Sequence, residues 1–199
     1  MKVLLIQPNY REIYAYAKNK EITPIFPPLG LAYIAAVLKK ERIPVRILEA
    51  NAFDLNHEQI KGIIEKYNPE IIGITATTSL IEEAHEIAKL CPKTSLVVIG
   101  GVHASSMPEE TLEKFERFDL LAIGEGEFTL LELAQKKPVS KIKGLVYRKN
   151  KKIIFNAPRE LNKNLDNLPF PARELLPMHK YFSAGAKQQP SDYILSSRG

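Results

Sequence analysis

The chain has a single cysteine, Cys91, among its 199 residues. One thiol excludes an internal disulfide and any metal site built from several thiolates of one chain. In Ala88-Lys89-Leu90-Cys91-Pro92, at an expected helix end, it reads as a small buried apolar residue. Long apolar runs are also lacking, and none approaches the roughly 20 residues needed to cross a bilayer. No signal-peptide pattern precedes the first strand-like run, so a cytoplasmic location is expected and a membrane partner is not. Basic charge is not concentrated: the net charge is +5, with Lys149, Lys151 and Lys152 the densest stretch. That stretch falls at an expected turn and reads as a solvated hairpin tip, so no nucleic-acid partner is expected.

Several familiar sites are missing as well. A dinucleotide fingerprint needs a Gly-rich turn after the first strand, where this chain has Gln7-Pro8-Asn9. No phosphate loop ends in Gly-Lys-Ser/Thr, and no hydrolase nucleophile elbow occurs. Phosphoacceptor chemistry would need an Asp at the end of the third strand, where Thr75 stands.

What is present is an alternation of strand and helix patterns. A hydrophobic fraction of 45% and a charged fraction of 26% are those of an ordinary globular protein, with length for one good-sized domain and an appendage. Strands are predicted at Val3–Gln7, Val45–Glu49, Ile71–Thr75, Leu96–Gly100 and 120–123, several of them continuous β-branched or leucine-rich runs. Helices are predicted at 30–40, His57–Tyr67, 80–90, 109–116 and 129–135, with helical character resuming near Ser105 after the fourth strand. Leu31, Ile34, Ala35 and Leu38 repeat at helical spacing, so one face packs on a sheet. Five such units predict an α/β fold over residues 1–136: a flavodoxin-like, Rossmann-like, doubly wound sheet of five parallel strands.

After Lys136 the pattern changes. Gly144-Leu145-Val146-Tyr147-Arg148 and Lys152-Ile153-Ile154-Phe155, joined by Lys149-Asn150-Lys151, predict a β-hairpin. Pro158, Pro169, Pro171, Pro177 and Pro190, with Pro138 upstream, are six of the fourteen prolines. Leu161, Leu165, Leu168, Phe170, Leu175, Leu176, Tyr181 and Phe182 are interleaved with them. Residues 137–199 therefore read as a hairpin and a Pro-rich linker strapped over the domain. The closing Tyr193-Ile194-Leu195-Ser196-Ser197-Arg198-Gly199 reads as a new strand leading to a further domain.

The strand ends hold the candidate site, because ligands of open parallel sheets bind outside the carboxyl ends of the strands. Gln7-Pro8-Asn9 opens a long polar loop to Phe26, which closes with Pro27-Pro28-Leu29-Gly30. Thr75-Ala76-Thr77-Thr78-Ser79 brings four hydroxyls; one is expected to cap the next helix, and the rest exceed what a cap needs. Gly100-Gly101-Val102-His103 gives the backbone room for a ligand or for a tight turn, and the residues alone leave both readings open. Gly124-Glu125-Gly126-Glu127 permits close approach and puts carboxylates where a helix dipole favours them.

In order and spacing these loops resemble the N-terminal cobalamin-binding domain of cobalamin-binding radical SAM proteins. Leu168-Pro169-Phe170-Pro171-Ala172-Arg173 and Ser196-Ser197-Arg198-Gly199 extend the resemblance through the linker. It implies a corrinoid cofactor, cobalamin, over the C-terminal edge of the sheet, with its nucleotide tail beside the third and fourth strands. The residues so implied are Gln7, Pro8 and Asn9; Pro28, Leu29 and Gly30; Thr75, Thr77, Thr78 and Ser79; Gly100, Gly101 and His103; and Gly124, Glu125 and Gly126. Gly101 is expected to be a slot residue whose replacement by Val costs ligand more than stability. No catalytic residue and no protein metal ligand is assigned to this chain. In the family a Cys-x-x-x-Cys-x-x-Cys cluster follows, binding a [4Fe–4S] centre and S-adenosylmethionine in a radical SAM domain, and none is present here. Methionine-synthase-type modules carry Asp-x-His-x-x-Gly after the first strand, yet residues 8–30 contain no His. The expected function is a cobalamin-binding module, base-off, for methyl transfer carried out with that next domain. The alternative is a non-catalytic flavodoxin-like interaction domain without corrinoid.

Overall fold

A computed structural model describes residues 1–11, 24–183 and 185–195. Seven strands form one sheet in the order β2-β1-β3-β4-β5-β6-β7. The first five are β1 (Val3–Gln7), β2 (Val45–Glu49), β3 (Ile71–Thr75), β4 (Leu96–Gly100) and β5 (Leu120–Ala122), and all are parallel. Their order, 2-1-3-4-5, is the flavodoxin-like one, with its switch point between β1 and β3. The expected hairpin, β6 (Leu145–Lys149) and β7 (Lys152–Phe155), continues the same sheet, because β6 pairs antiparallel with β5. Asn150 and Lys151 supply the positive φ values of its two-residue turn.

Helices cover both faces. On one lie α1 (Leu29–Lys40) and α6 (Glu127–Ala134), packed on Val3, Leu5, Ile71 and Val98. On the other lie α2 (His57–Tyr67), α3 (Ile81–Leu90) and α5 (Pro108–Lys114), over Leu4, Ile6, Ile72 and Ile99. The alternation of Val3 and Leu5 against Leu4 and Ile6 is the period-2 geometry of a strand buried on both faces. Local signals set several helix ends. Asn56 and Gln59 form a reciprocal capping box at α2, Asn68 ends it in the left-handed region, and Pro108 opens α5.

Helical character after the Gly pair begins earlier than Ser105. A one-turn helix α4 (Val102–Ser106) follows Gly101 directly and is separated from α5 by Met107. The linker docks, but only through part of its apolar set. Ala172, Leu176 and Tyr181 are buried, whereas Leu161, Leu165 and Phe170 are exposed, Phe170 at 92%. Within the described residues 193–195 form no strand, and Ser196–Gly199 lie outside the described residues. Among the described residues no helix is long and apolar enough to cross a membrane.

Candidate functional site

A cavity of about 200 Å³ opens at the C-terminal edge of the sheet, between the sheet and helices α1 and α6. Strand register explains it. Leu5, Gly73 and Val98 are consecutive partners across β1, β3 and β4, and Thr75 pairs with Gly100 one pleat higher. Two glycines therefore fall on one face of adjacent strands, beside Ala122 of β5 and among the branched side chains of Leu5 and Val98. The outer wall is apolar, from Leu31 and Ile34 of α1 and Leu130 of α6.

Glycines keep the cavity open in different ways. A Cβ on Gly100 would meet nothing closer than Ala122 O at 3.9 Å, and one on Gly30 or Gly124 nothing within 4 Å. Those positions border free space that side chains would fill. Gly101 differs: its φ is +97°, and a Cβ would stand 2.6 Å from Ala76 O and 2.8 Å from Thr75 Oγ1. It is needed by the turn itself, which corrects the expectation that its replacement would spare stability.

The three loops behind the cavity are laced together. Ala76 N–H donates to Gly100 O at 3.1 Å, and Ala76 O accepts from His103 N–H at 3.3 Å. Ser105 Oγ accepts from Gly124 N–H at 3.0 Å, tying the loop after β5 to α4. Asn162 N–H in the linker donates to Glu125 Oε2 at 3.2 Å, so the linker reaches the cavity mouth. His103 is 7% exposed, and its Nδ1 lies 3.2 Å from Thr78 Oγ1.

Of the residues expected at the site, Gly30, Thr75, Gly100, Gly101, Gly124, Glu125 and Gly126 line this cavity. Gln7, Pro8, Asn9, Pro28, Leu29, Thr77, Thr78, Ser79 and His103 do not; they belong to loops of the same sheet edge. Asn9 is engaged locally, its Nδ2 donating to Asp54 Oδ1 at 2.9 Å and its Oδ1 accepting from Arg11 N–H at 3.0 Å. The expected hydroxyl cap is not made. Thr77 and Leu80 stand at the N-caps of the 3₁₀ turn and of α3 without a side-chain capping bond, because the 3₁₀ turn intervenes. Thr77, Thr78 and Ser79 are exposed, with Thr77 Oγ1 3.1 Å from Ser79 Oγ.

Sequence reasoning missed Gly73, Ile34 and Leu130. A lone glycine inside the run Ile71-Ile72-Gly73-Ile74 was the available signal, since strand glycines mark close approach. Among the described residues, Glu125 and Glu127 are the titratable side chains lining the cavity. The cavity is thus bordered by glycines, walled by Leu31, Ile34 and Leu130, and edged by the Thr75 hydroxyl and the Glu125 and Glu127 carboxylates.

The B12-binding domain family profile matches residues 19–134. The chain belongs to the B12-binding domain family. It is 37% identical over its whole length to an uncharacterized methyltransferase of Pyrococcus horikoshii, covering 43% of that protein. It is 34% identical over 67% of its length to the anaerobic magnesium-protoporphyrin IX monomethyl ester cyclase of Rubrivivax gelatinosus, covering 24% of it. The fold is shared with the cobalamin-dependent S-adenosylmethionine radical enzyme OxsB, solved with aqua-cobalamin and S-adenosylmethionine bound. That match has a TM-score of 0.69 at 19% identity, over 88% of this chain and 24% of OxsB. The chain thus spans less than half the length of each of these proteins. Cobalamin is the cofactor of the family, and the open space beside Gly30, Gly100 and Gly124 is room that such a group can use.

Proposed function

We propose that this chain is the cobalamin-binding module of a radical SAM methyltransferase. The observation that carries the reading is the slot between the sheet and helices α1 and α6, left open beside Gly100, with Gly73 giving way to the Leu5 side chain on its floor. In this reading Gly30, Gly100 and Gly124 leave the volume that the nucleotide tail fills. Leu31, Ile34 and Leu130 bury its base, while Thr75 and the exposed Thr77, Thr78 and Ser79 offer hydroxyls to its polar groups. Gln7, Pro8, Asn9, Pro28, Leu29 and Gly30 then form the edge on which the corrin ring rests.

Cobalamin, when bound, supplies the methyl-carrier chemistry; the chain supplies binding and orientation. A tail drawn into the slot cannot also reach cobalt, so the bound form is base-off. Residues 1–136 are the cofactor domain in this division, and residues 137–199 lead to a [4Fe–4S]/S-adenosylmethionine domain, the partner to which the corrinoid is presented. The much greater length of the relatives supports that partner. Incubation with hydroxocobalamin, desalting and a visible spectrum test the reading. Near-stoichiometric corrin absorbance is expected. A colourless protein would overturn it in favour of an interaction domain without corrinoid.

A further inference from the structure

A second polar cluster lies at the end of β2, away from the cavity. Glu49 is 2% exposed, and neither of its carboxyl oxygens closes a hydrogen bond of ordinary length. The same holds for the Tyr181 hydroxyl and for the side-chain N–H₂ of Asn51. Buried polar groups in native proteins are rarely left so, and each costs about 1–3 kcal/mol when it is. Glu49 faces Tyr181 from the linker, Tyr10 and the more distant Arg11 from the segment after β1, and the backbone of Asn51 and Ala52. Arg11 is shared with Asp54 at 3.7 Å. Burial dominates these influences and pushes the Glu49 carboxyl up to about 7.

The cluster sits where three segments meet. Tyr181 precedes Phe182, whose N–H and C=O pair with those of Ile25 at 3.2 and 3.1 Å. Ile25 leads directly into Pro27-Pro28 and the start of α1. Ala172 N–H, earlier in the linker, donates to Ala32 O in α1 at 3.0 Å. Whatever holds Tyr181 in place therefore also holds the strand-edge segment before α1.

We propose that Glu49 is a proton-controlled latch for the linker: neutral, it seats Tyr181 and the Ile25–Phe182 bridge, and ionised, it loosens both. A neutral carboxyl has a proton to donate and one oxygen to accept, so it can pair with the phenol at little cost. An ionised one is a buried charge favoured only by the Tyr181 hydroxyl, the backbone of Asn51 and Ala52 and the more distant Arg11 among the described residues, and burial outweighs them. The folded state holds this proton more tightly than the unfolded chain does. The latch therefore contributes fully below the ordinary carboxyl value of 4.5 and is lost as pH rises through about 7.

Hydrogen exchange of residues 178–193 in the full chain, corrected for intrinsic rates, tests this between about pH 5.5 and about pH 8.5. Protection is expected to fall about tenfold or more across that range, and Glu49→Gln is expected to stay protected throughout. Infrared titration of the wild-type protein needs no variant: a neutral-carboxyl C=O band should disappear with a midpoint near 7. Protection that is flat with pH, a Glu49→Gln profile that follows the wild type, or a carboxyl already ionised at the acid end would each overturn the latch. None of these measurements uses cobalamin, so their failure leaves the cofactor reading untouched.

Discussion

A Cβ on Gly101 would stand 2.6 Å from the carbonyl oxygen of Ala76, whereas one on its neighbour Gly100 would have only Ala122 O, at 3.9 Å. The two glycines are adjacent in sequence and do different work. Gly101 lets the turn after β4 close on Ala76, and Gly100 keeps side-chain volume out of the slot. Their substitutions should separate accordingly.

Gly101→Val is expected to destabilise the protein by about 3 kcal/mol or more, through a left-handed φ and a backbone collision. The melting temperature should then fall by roughly 6–12 °C. Gly100→Val is expected to shift the melting temperature by only about 3 °C while reducing cobalamin retention at least about tenfold. Thermal melts and corrin absorbance after desalting check both. A Gly100→Val protein that keeps its cobalamin would show that the slot is not where the cofactor binds.

How far the sequence disclosed this arrangement depends on whether a feature is local. Four of the five parallel strands appear with the expected bounds, because Val3–Gln7, Val45–Glu49, Ile71–Thr75 and Leu96–Gly100 are apolar runs with clear ends. The hairpin was legible as a hairpin, yet its pairing with β5 was not, since Leu121 and Val146 are 25 residues apart and nothing in either run names the other. The cavity was legible in part for the same reason. Gly100 and Gly124 end strands and draw notice, but Gly73 matters only because register sets it between Leu5 and Val98. Short α4 escaped because five residues are too few to display a helical period.

Arg148 bridges the hairpin to the end of α5. Its guanidinium donates to the carbonyl oxygen of Leu112 in the last turn of α5, a group a helix end leaves without a helical partner, and to those of Phe115 and Phe118 in the segment that follows. Arg148→Met keeps much of the stem and removes every donor. A loss of about 2–4 kcal/mol is expected, lowering the melting temperature by roughly 4–16 °C. Cobalamin retention should be unchanged in the folded variant, because α5 packs on the face opposite the cavity. A melting curve superimposing on the wild type would show that these carbonyls are served equally well by water.

Cys91 is buried at the end of α3, its Sγ 3.4 Å from Ile87 O, and burial pushes its thiol up to about 12. Since the thiolate is the reactive form, native protein at about pH 8 is expected to resist iodoacetamide and to react fully once unfolded. Mass spectrometry before and after denaturation counts the adduct. Rapid stoichiometric labelling of the native chain would contradict the burial of this residue.

The last expectation concerns the lower face of any bound cobalamin, which should carry no protein histidine. The chain has four His residues, and each is placed. His57 Nε2 lies 3.0 Å from Glu83 Oε1, His85 packs its ring against Phe115 and Phe118, and His179 sits in a 3₁₀ turn of the linker. His103 alone follows a strand end that borders the cavity, and there its Nδ1 is engaged with Thr78 while the residue is almost wholly buried. Residues 8–30, which would carry the ligand in methionine-synthase-type modules, contain no imidazole. In the proposed base-off form the tail base occupies the slot and is not available to coordinate cobalt from below. The reduced cob(II)alamin complex is therefore expected to give an EPR spectrum without nitrogen superhyperfine splitting. His103→Ala should leave that spectrum unchanged. A three-line nitrogen pattern in the wild type that vanishes in His103→Ala would mean that this side chain leaves Thr78 to bind cobalt.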